Sequence, residues 1–188
     1  MMQNVRAAEN VRLGRFLSLV LRHRPAAAGI SLDQNGWANV DELIAGVRKT
    51  GRKIDESILE EVVEGNDKKR YMFNEDRTKI RANQGHTIAV DIELREQLPP
   101  MPLYHGTASR LLGNIRSQGL LKQKRLHVHL SADIATAASV GRRHGKAVVL
   151  EIDTASMVRD GYRFCLSENN VWLCDSVPWK YITEHRNS

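Results

Sequence analysis

Apolar residues recur at helical spacing through the first third of the chain and then give way to shorter, strand-like runs. Val11, Phe16, Leu17, Val20 and Leu21 follow a helical repeat, and the pattern stops ahead of Pro25, which disfavours helical geometry in the residue before it. The spacing predicts a helix from Val11 to His23 with Arg22 and His23 at its end. Asn39 is placed to cap a second helix, with Glu42 at the capping-box position, Val40, Leu43, Ile44 and Val47 as its apolar stripe, and Gly51 as its stop. A third helix begins at Asp55 and uses Ile58, Leu59, Val62 and Val63. The period then shortens. Arg70-Tyr71-Met72-Phe73 and Lys79-Ile80-Arg81-Ala82 flank the turn-rich Asn74-Glu75-Asp76-Arg77, the pattern of a short hairpin. Three helices followed by a hairpin read as a winged helix.

Leu98-Pro99-Pro100-Met101-Pro102 is the one concentrated proline cluster, and it places a lobe boundary between 1–97 and 98–188. Beyond it, Leu103-Tyr104-His105 reads as a strand with His105-Gly106-Thr107 at its end, Ser109 to Gln118 as a helix closed by Gly119, and His127 to Leu130 as another strand. Ser131 is the expected cap of a helix running through Ala135 and Ala138. Ala147 to Ile152 and Asn170 to Cys174 complete a set of short buried strands, so the expected class is α+β.

Composition narrows the partners. The chain has 188 residues and a formal net charge of +6, which favours an anionic partner, nucleic acid first. Cys165 and Cys174 lack the close spacing of a zinc ribbon or redox motif and read as reduced structural thiols. No apolar run is long enough to span a bilayer, and Met1 to Asn10 lack a signal-peptide core, so a soluble cytoplasmic protein with no membrane partner is expected.

Two constellations carry candidate chemistry. His105-Gly106-Thr107 offers an imidazole, a residue without Cβ that lets a planar ring approach the backbone, and a hydroxyl, a combination suited to a nucleotide. A hydrogen-bonded histidine in a turn is the plainer reading. His127 and His129 share a strand face, where two histidines can hold a metal, but no acidic residue or cysteine stands near them in sequence to complete a ligand set, and no metal is expected. Arg22 and His23, Arg70, and the Arg142-Arg143 pair are the second constellation. Each arginine alone reads as a solvated surface charge. Several converging on one site would grip a phosphate through planar bidentate contacts.

Leu17-Ser18-Leu19-Val20-Leu21-Arg22-His23 with Pro25, Gly36-Trp37, Asn66-Asp67-Lys68-Lys69-Arg70-Tyr71, Tyr104-His105-Gly106-Thr107, His127-Val128-His129-Leu130-Ser131 and Val171-Trp172-Leu173 together resemble the NAD-dependent RNA 2′-phosphotransferases, in the family's order and over nearly the whole chain. The resemblance implies a winged-helix RNA-binding lobe followed by an ADP-ribosyltransferase-like lobe. It implies NAD consumed as co-substrate, and an RNA bearing an internal 2′-phosphate, a spliced transfer RNA among the candidates, as the other substrate. It also implies two steps. The RNA 2′-phosphate attacks the nicotinamide-bearing ribose carbon and expels nicotinamide; the ribose 2″-hydroxyl then attacks that phosphate, releasing 2′-hydroxyl RNA and ADP-ribose 1″,2″-cyclic phosphate. By the same resemblance the family's Arg-His-Arg-Arg quartet falls on Arg22, His23, Arg70 and Arg143, and its NAD-binding residues on His105, Gly106, Thr107, His129, Ser131 and Val171.

Protein-modifying relatives of that fold place a glutamate where this chain has Val171; Glu168 is near but out of register. Arg143 is preferred to Arg142 because the family arginine follows the glycine after one intervening residue. A monomer is expected. Two competing readings remain open on sequence alone. One is an ADP-ribosyltransferase that leaves ADP-ribose on a terminal nucleic-acid phosphate or a protein. The other is a winged-helix nucleic-acid-binding protein whose second lobe catalyses nothing.

Overall fold

In the computed structural model, which describes residues 2–185, the first helix, α1 (Met2–Arg22), begins nine residues before the predicted start. Its buried stripe is Leu13, Leu17, Val20 and Leu21, whereas Val11, counted in the sequence pattern, is more than half exposed. Helix α2 (Val40–Lys49) starts where Asn39 accepts a hydrogen bond from the Glu42 backbone, and α3 (Glu56–Glu64) where Asp55 accepts one from Ile58. Three strands, β1 (Ala38–Asn39), β2 (Tyr71–Phe73) and β3 (Lys79–Ala82), form an antiparallel sheet in the order β1-β3-β2, with Met72 opposite Arg81. The hairpin is the predicted one; β1 is an addition, since two residues carry no periodicity to detect. Leu17, Leu21, Leu43, Leu59 and Ile80 fill the core between helices and sheet.

The chain divides into two compact units, Met1–Glu93 and Leu94–Ser188. The second starts with β4 (Arg95–Glu96), which pairs with β9 (Cys165–Leu166) and so groups residues 95–96 with the strands that follow them. Along the chain come β5 (Leu103–Ala108), a short 3-10 turn, α4 (Leu112–Gln118), β6 (Leu120–Leu121), β7 (Val128–Leu130), α5 (Ile134–Arg142), β8 (Ala147–Ile152) and α6 (Thr154–Arg159). After β9 follow β10 (Trp172–Cys174), β11 (Ser176–Val177) and β12 (Ile182–Glu184). They assemble into sheets ordered β12-β8-β5, β4-β9-β10-β7 and β11-β6. Backbone bonds between Tyr104 and Ser131 (2.7 and 2.8 Å) tie the first of these sheets to the second. Six α-helices and these small sheets among the described residues make a mixed α/β molecule consistent with the α+β class.

Three local expectations need correction. Asp133, not Ser131, caps α5 by accepting from the Thr136 backbone at 2.6 Å; the Ser131 hydroxyl accepts from the Asp133 backbone one turn earlier. His105-Gly106-Thr107 lies within β5 and not at its end, because β8 pairs along the whole of Leu103–Ala108. His127 precedes β7, so it does not share a strand with His129.

Candidate active site

Arg22, His23 and Arg70 belong to the first unit, and the fold brings them together. Arg22 and His23 close α1, and Arg70 immediately precedes β2. Burial pushes the Tyr71 hydroxyl up, opposed by a hydrogen bond with Ser18 and by the positive charges of both Arg22 and Arg70, so both guanidinium groups lie near that hydroxyl. The Arg70 guanidinium donates to Asn66 Oδ1 at 3.1 Å. Behind it, buried Asn83 donates from Nδ2 to the Lys69 carbonyl at 2.6 Å and from its backbone to the Arg70 carbonyl at 2.9 Å.

The other support is the segment after β3. Gly85 adopts a left-handed φ of +89° and passes beneath Arg22. Thr87 meets His23, with Oγ1 3.0 Å from Nδ1. Asn83, Gly85 and Thr87 were missed by the sequence reading. The available signal was a polar, glycine-bearing run, Asn83-Gln84-Gly85-His86-Thr87, directly after a predicted strand.

The second unit gathers His105, His129, Ser131 and Val171. His105 Nδ1 lies 3.0 Å from the His129 backbone oxygen, and burial pushes its imidazole down from the usual histidine value. A carbonyl can only accept, so Nδ1 carries the proton and the neutral ring keeps an accepting lone pair on Nε2. Strand β10 pairs with β7 as far as Trp172 opposite Leu130, and Ser131 and Val171 are the next residues on each strand. Val171 is held by buried Ser167, whose Oγ accepts from its backbone at 3.1 Å; Glu168 is exposed on the loop between them.

Gly106 lacks a Cβ for a reason other than the one expected. A Cβ there would lie 1.7 Å from the Ala137 carbonyl oxygen, so the space is taken by α5 and not by a ligand ring. Thr107 is buried on the His105 side of β5 by strand alternation. Arg143 immediately follows α5 and is exposed, as is Arg142, its last residue. Arg142, however, lines a separate groove of about 920 Å³ with Val149, Glu151, Trp179, Thr183 and His185, which takes in neither His105 nor His129.

Burial raises both thiols, Cys174 to about 12, and neither is in a disulfide. Among the described residues no group of three His, Cys, Asp or Glu side chains is placed to hold a metal, and no helix is long and apolar enough to cross a membrane.

A family model described as RNA 2′-phosphotransferase, Tpt1 / KptA family, matches residues 8–176. The chain belongs to that family. It is 58% identical over 174 residues to a probable RNA 2′-phosphotransferase of Fusobacterium nucleatum, covering 92% of this chain and 97% of the relative. Proteins with the same name match from Flavobacterium johnsoniae, at 53% over 90% of this chain and 93% of the relative, and from Rhodopirellula baltica, at 52% over 92% and 95%. The members are thus named as transferases, and the match runs through both units.

Proposed function

We propose that this protein removes an internal 2′-phosphate from RNA and consumes NAD in doing so. The observation that carries the reading is that Arg22 and Arg70, far apart in sequence, both lie near the Tyr71 hydroxyl, with His23 next to Arg22, in a member of the RNA 2′-phosphotransferase family. The first unit, Met1–Glu93, which ends slightly ahead of the boundary at 97 expected from the prolines, is the winged-helix RNA-binding lobe, and the second, Leu94–Ser188, is the ADP-ribosyltransferase-like NAD-binding lobe. A cytoplasmic monomer acting on RNA, transfer RNA among its candidate substrates, completes the proposal.

In the first step a phosphate oxygen bonds to the ribose C1″ of NAD while the bond to nicotinamide breaks, its electron pair leaving with the ring. The nucleophile is already anionic, so the step requires positioning by cations and no general base. Arg22 and Arg70 supply them, and the family resemblance assigns Arg143 to the same task. In the second step the ribose 2″-oxygen bonds to phosphorus and the bond to the RNA 2′-oxygen breaks. His23 takes the 2″-hydroxyl proton and returns one to the departing RNA oxygen.

NAD fits the second unit's donor set. His105, kept neutral with its Nδ1 occupied, can accept from a ribose hydroxyl, and His129, Ser131 and Val171 stand beside it. Gly106 and Thr107 are assigned to the same subsite by the family resemblance.

The test is incubation with NAD and a short RNA carrying one internal 2′-phosphate, with RNA and small products followed by mass spectrometry. The expected products are 2′-hydroxyl RNA, nicotinamide and ADP-ribose 1″,2″-cyclic phosphate. His23→Ala should accumulate ADP-ribosylated RNA. A wild-type protein that stops at that adduct would mark an ADP-ribosyltransferase instead, and one that consumes no NAD would overturn the enzymatic reading.

A further inference from the structure

Thr87 contacts the end of α1 with two atoms. Its backbone N–H donates to the Arg22 carbonyl at 3.0 Å, and its Oγ1 lies 3.0 Å from His23 Nδ1. Two residues earlier, Gly85 runs under the Arg22 guanidinium, where a Cβ would be in ordinary contact with Nη1 at 3.6 Å. Between them His86 is 1% exposed and turns inward over Gly36, where a Cβ would lie 3.5 Å from its Nε2. The segment is therefore anchored at its middle and presents its two flanking residues to Arg22 and His23.

We propose that Thr87 is a positioning residue for His23, holding Nδ1 so that Nε2 is the atom that exchanges a proton with the reacting ribose hydroxyl. The inference rests on the transfer reaction proposed above. A hydroxyl can donate or accept, so the bond by itself admits two tautomers. The second step selects one of them. To take the 2″-hydroxyl proton, the other nitrogen, Nε2, must carry a lone pair, which requires the proton on Nδ1 and Thr87 as acceptor. The arrangement survives the transfer, because Nδ1–H donates to Oγ1 whether Nε2 is bare or protonated. One ring orientation therefore serves both the removal of the proton and its delivery to the departing RNA oxygen.

Without the hydroxyl Thr87 no longer keeps the proton on Nδ1, and a proton on Nε2 blocks the base. The first step has no proton to move, so it is spared. Thr87→Val keeps the shape and removes only the hydrogen bond. It should form ADP-ribosylated RNA at the wild-type rate and clear it about 10-fold or more slowly, a fraction of what a general base contributes. Thr87→Ser should restore clearance, which a purely structural effect of losing the threonine would not do.

Single-turnover time courses of wild type, His23→Ala, Thr87→Val and Thr87→Ser read both steps. Adduct accumulating in Thr87→Val and clearing in Thr87→Ser establishes the role. Clearance by Thr87→Val at the wild-type rate, or by Thr87→Ser as slowly as by Thr87→Val, overturns it while His23→Ala still shows the proposed second step. If wild type forms no adduct and no cyclic phosphate, the reaction itself is overturned and the role of Thr87 with it.

Discussion

At His105 a hydrogen bond sets the tautomer and burial sets the pH dependence. Burial depresses its titration, only partly offset by the bond to the His129 carbonyl. An unfolded histidine titrates near 6.5, so from there down to the lower folded value the unfolded chain binds a proton that the folded chain refuses. Stability from this group is therefore intact above about 6.5 and is lost as the pH falls toward the folded value. Melting temperature should drop between pH 7 and pH 5, and His105→Gln, which can still donate to the carbonyl, should flatten part of that drop. His127, also held down by burial, accounts for a share that the variant leaves. NAD affinity should hold through the onset of that drop and weaken only as the pH falls through the lower folded value, because protonation of Nε2 then removes the accepting lone pair; titration calorimetry at several pH values checks it. An unchanged stability curve in His105→Gln would separate the histidine from the acid sensitivity.

At the scale of elements, the helices of the first unit were legible because each carries its own signals. Asn39 caps where the pattern placed it, Asp55, the expected first residue of α3, is its cap, and the stripe of α2 is buried as expected apart from the extra participation of Gly46. The second unit was less legible. Strands of two residues such as β4, β6, β9 and β11 have no period, and their pairing is decided by partners distant in sequence. Gly106 is the sharpest case, since what it accommodates is a helix about thirty residues further on. Gly106→Ala would force its methyl into the Ala137 carbonyl and lift α5 from β5. It should cost about 2–3 kcal/mol or more, read as a lowered urea midpoint. Gly113→Ala is the control: it sits in α4 with nothing within 4 Å of the new methyl, and should be neutral or stabilising by about 0.5–1 kcal/mol.

For the whole molecule, the net charge of +6 sets the terms on which RNA is met. Binding should weaken steeply with salt, as arginine and lysine displace counterions from the phosphates. Arg70→Ala should lower the slope of log affinity against log salt by about 1, with little change in preference among RNA sequences. A slope unaffected by Arg70→Ala would remove it from the phosphate contacts. The sequence by itself determined which residues are charged, where α2 and α3 start, and family membership, because these depend on near neighbours and residue identity. Tertiary structure decided what those residues do together. Arg22 and Arg70 are 48 positions apart, and only the packing of α1 against the hairpin puts both beside Tyr71. Thr87 meets His23 across 64 positions for the same reason. A hydrogen bond depends on distances of a few ångströms, and those are set when the core packs.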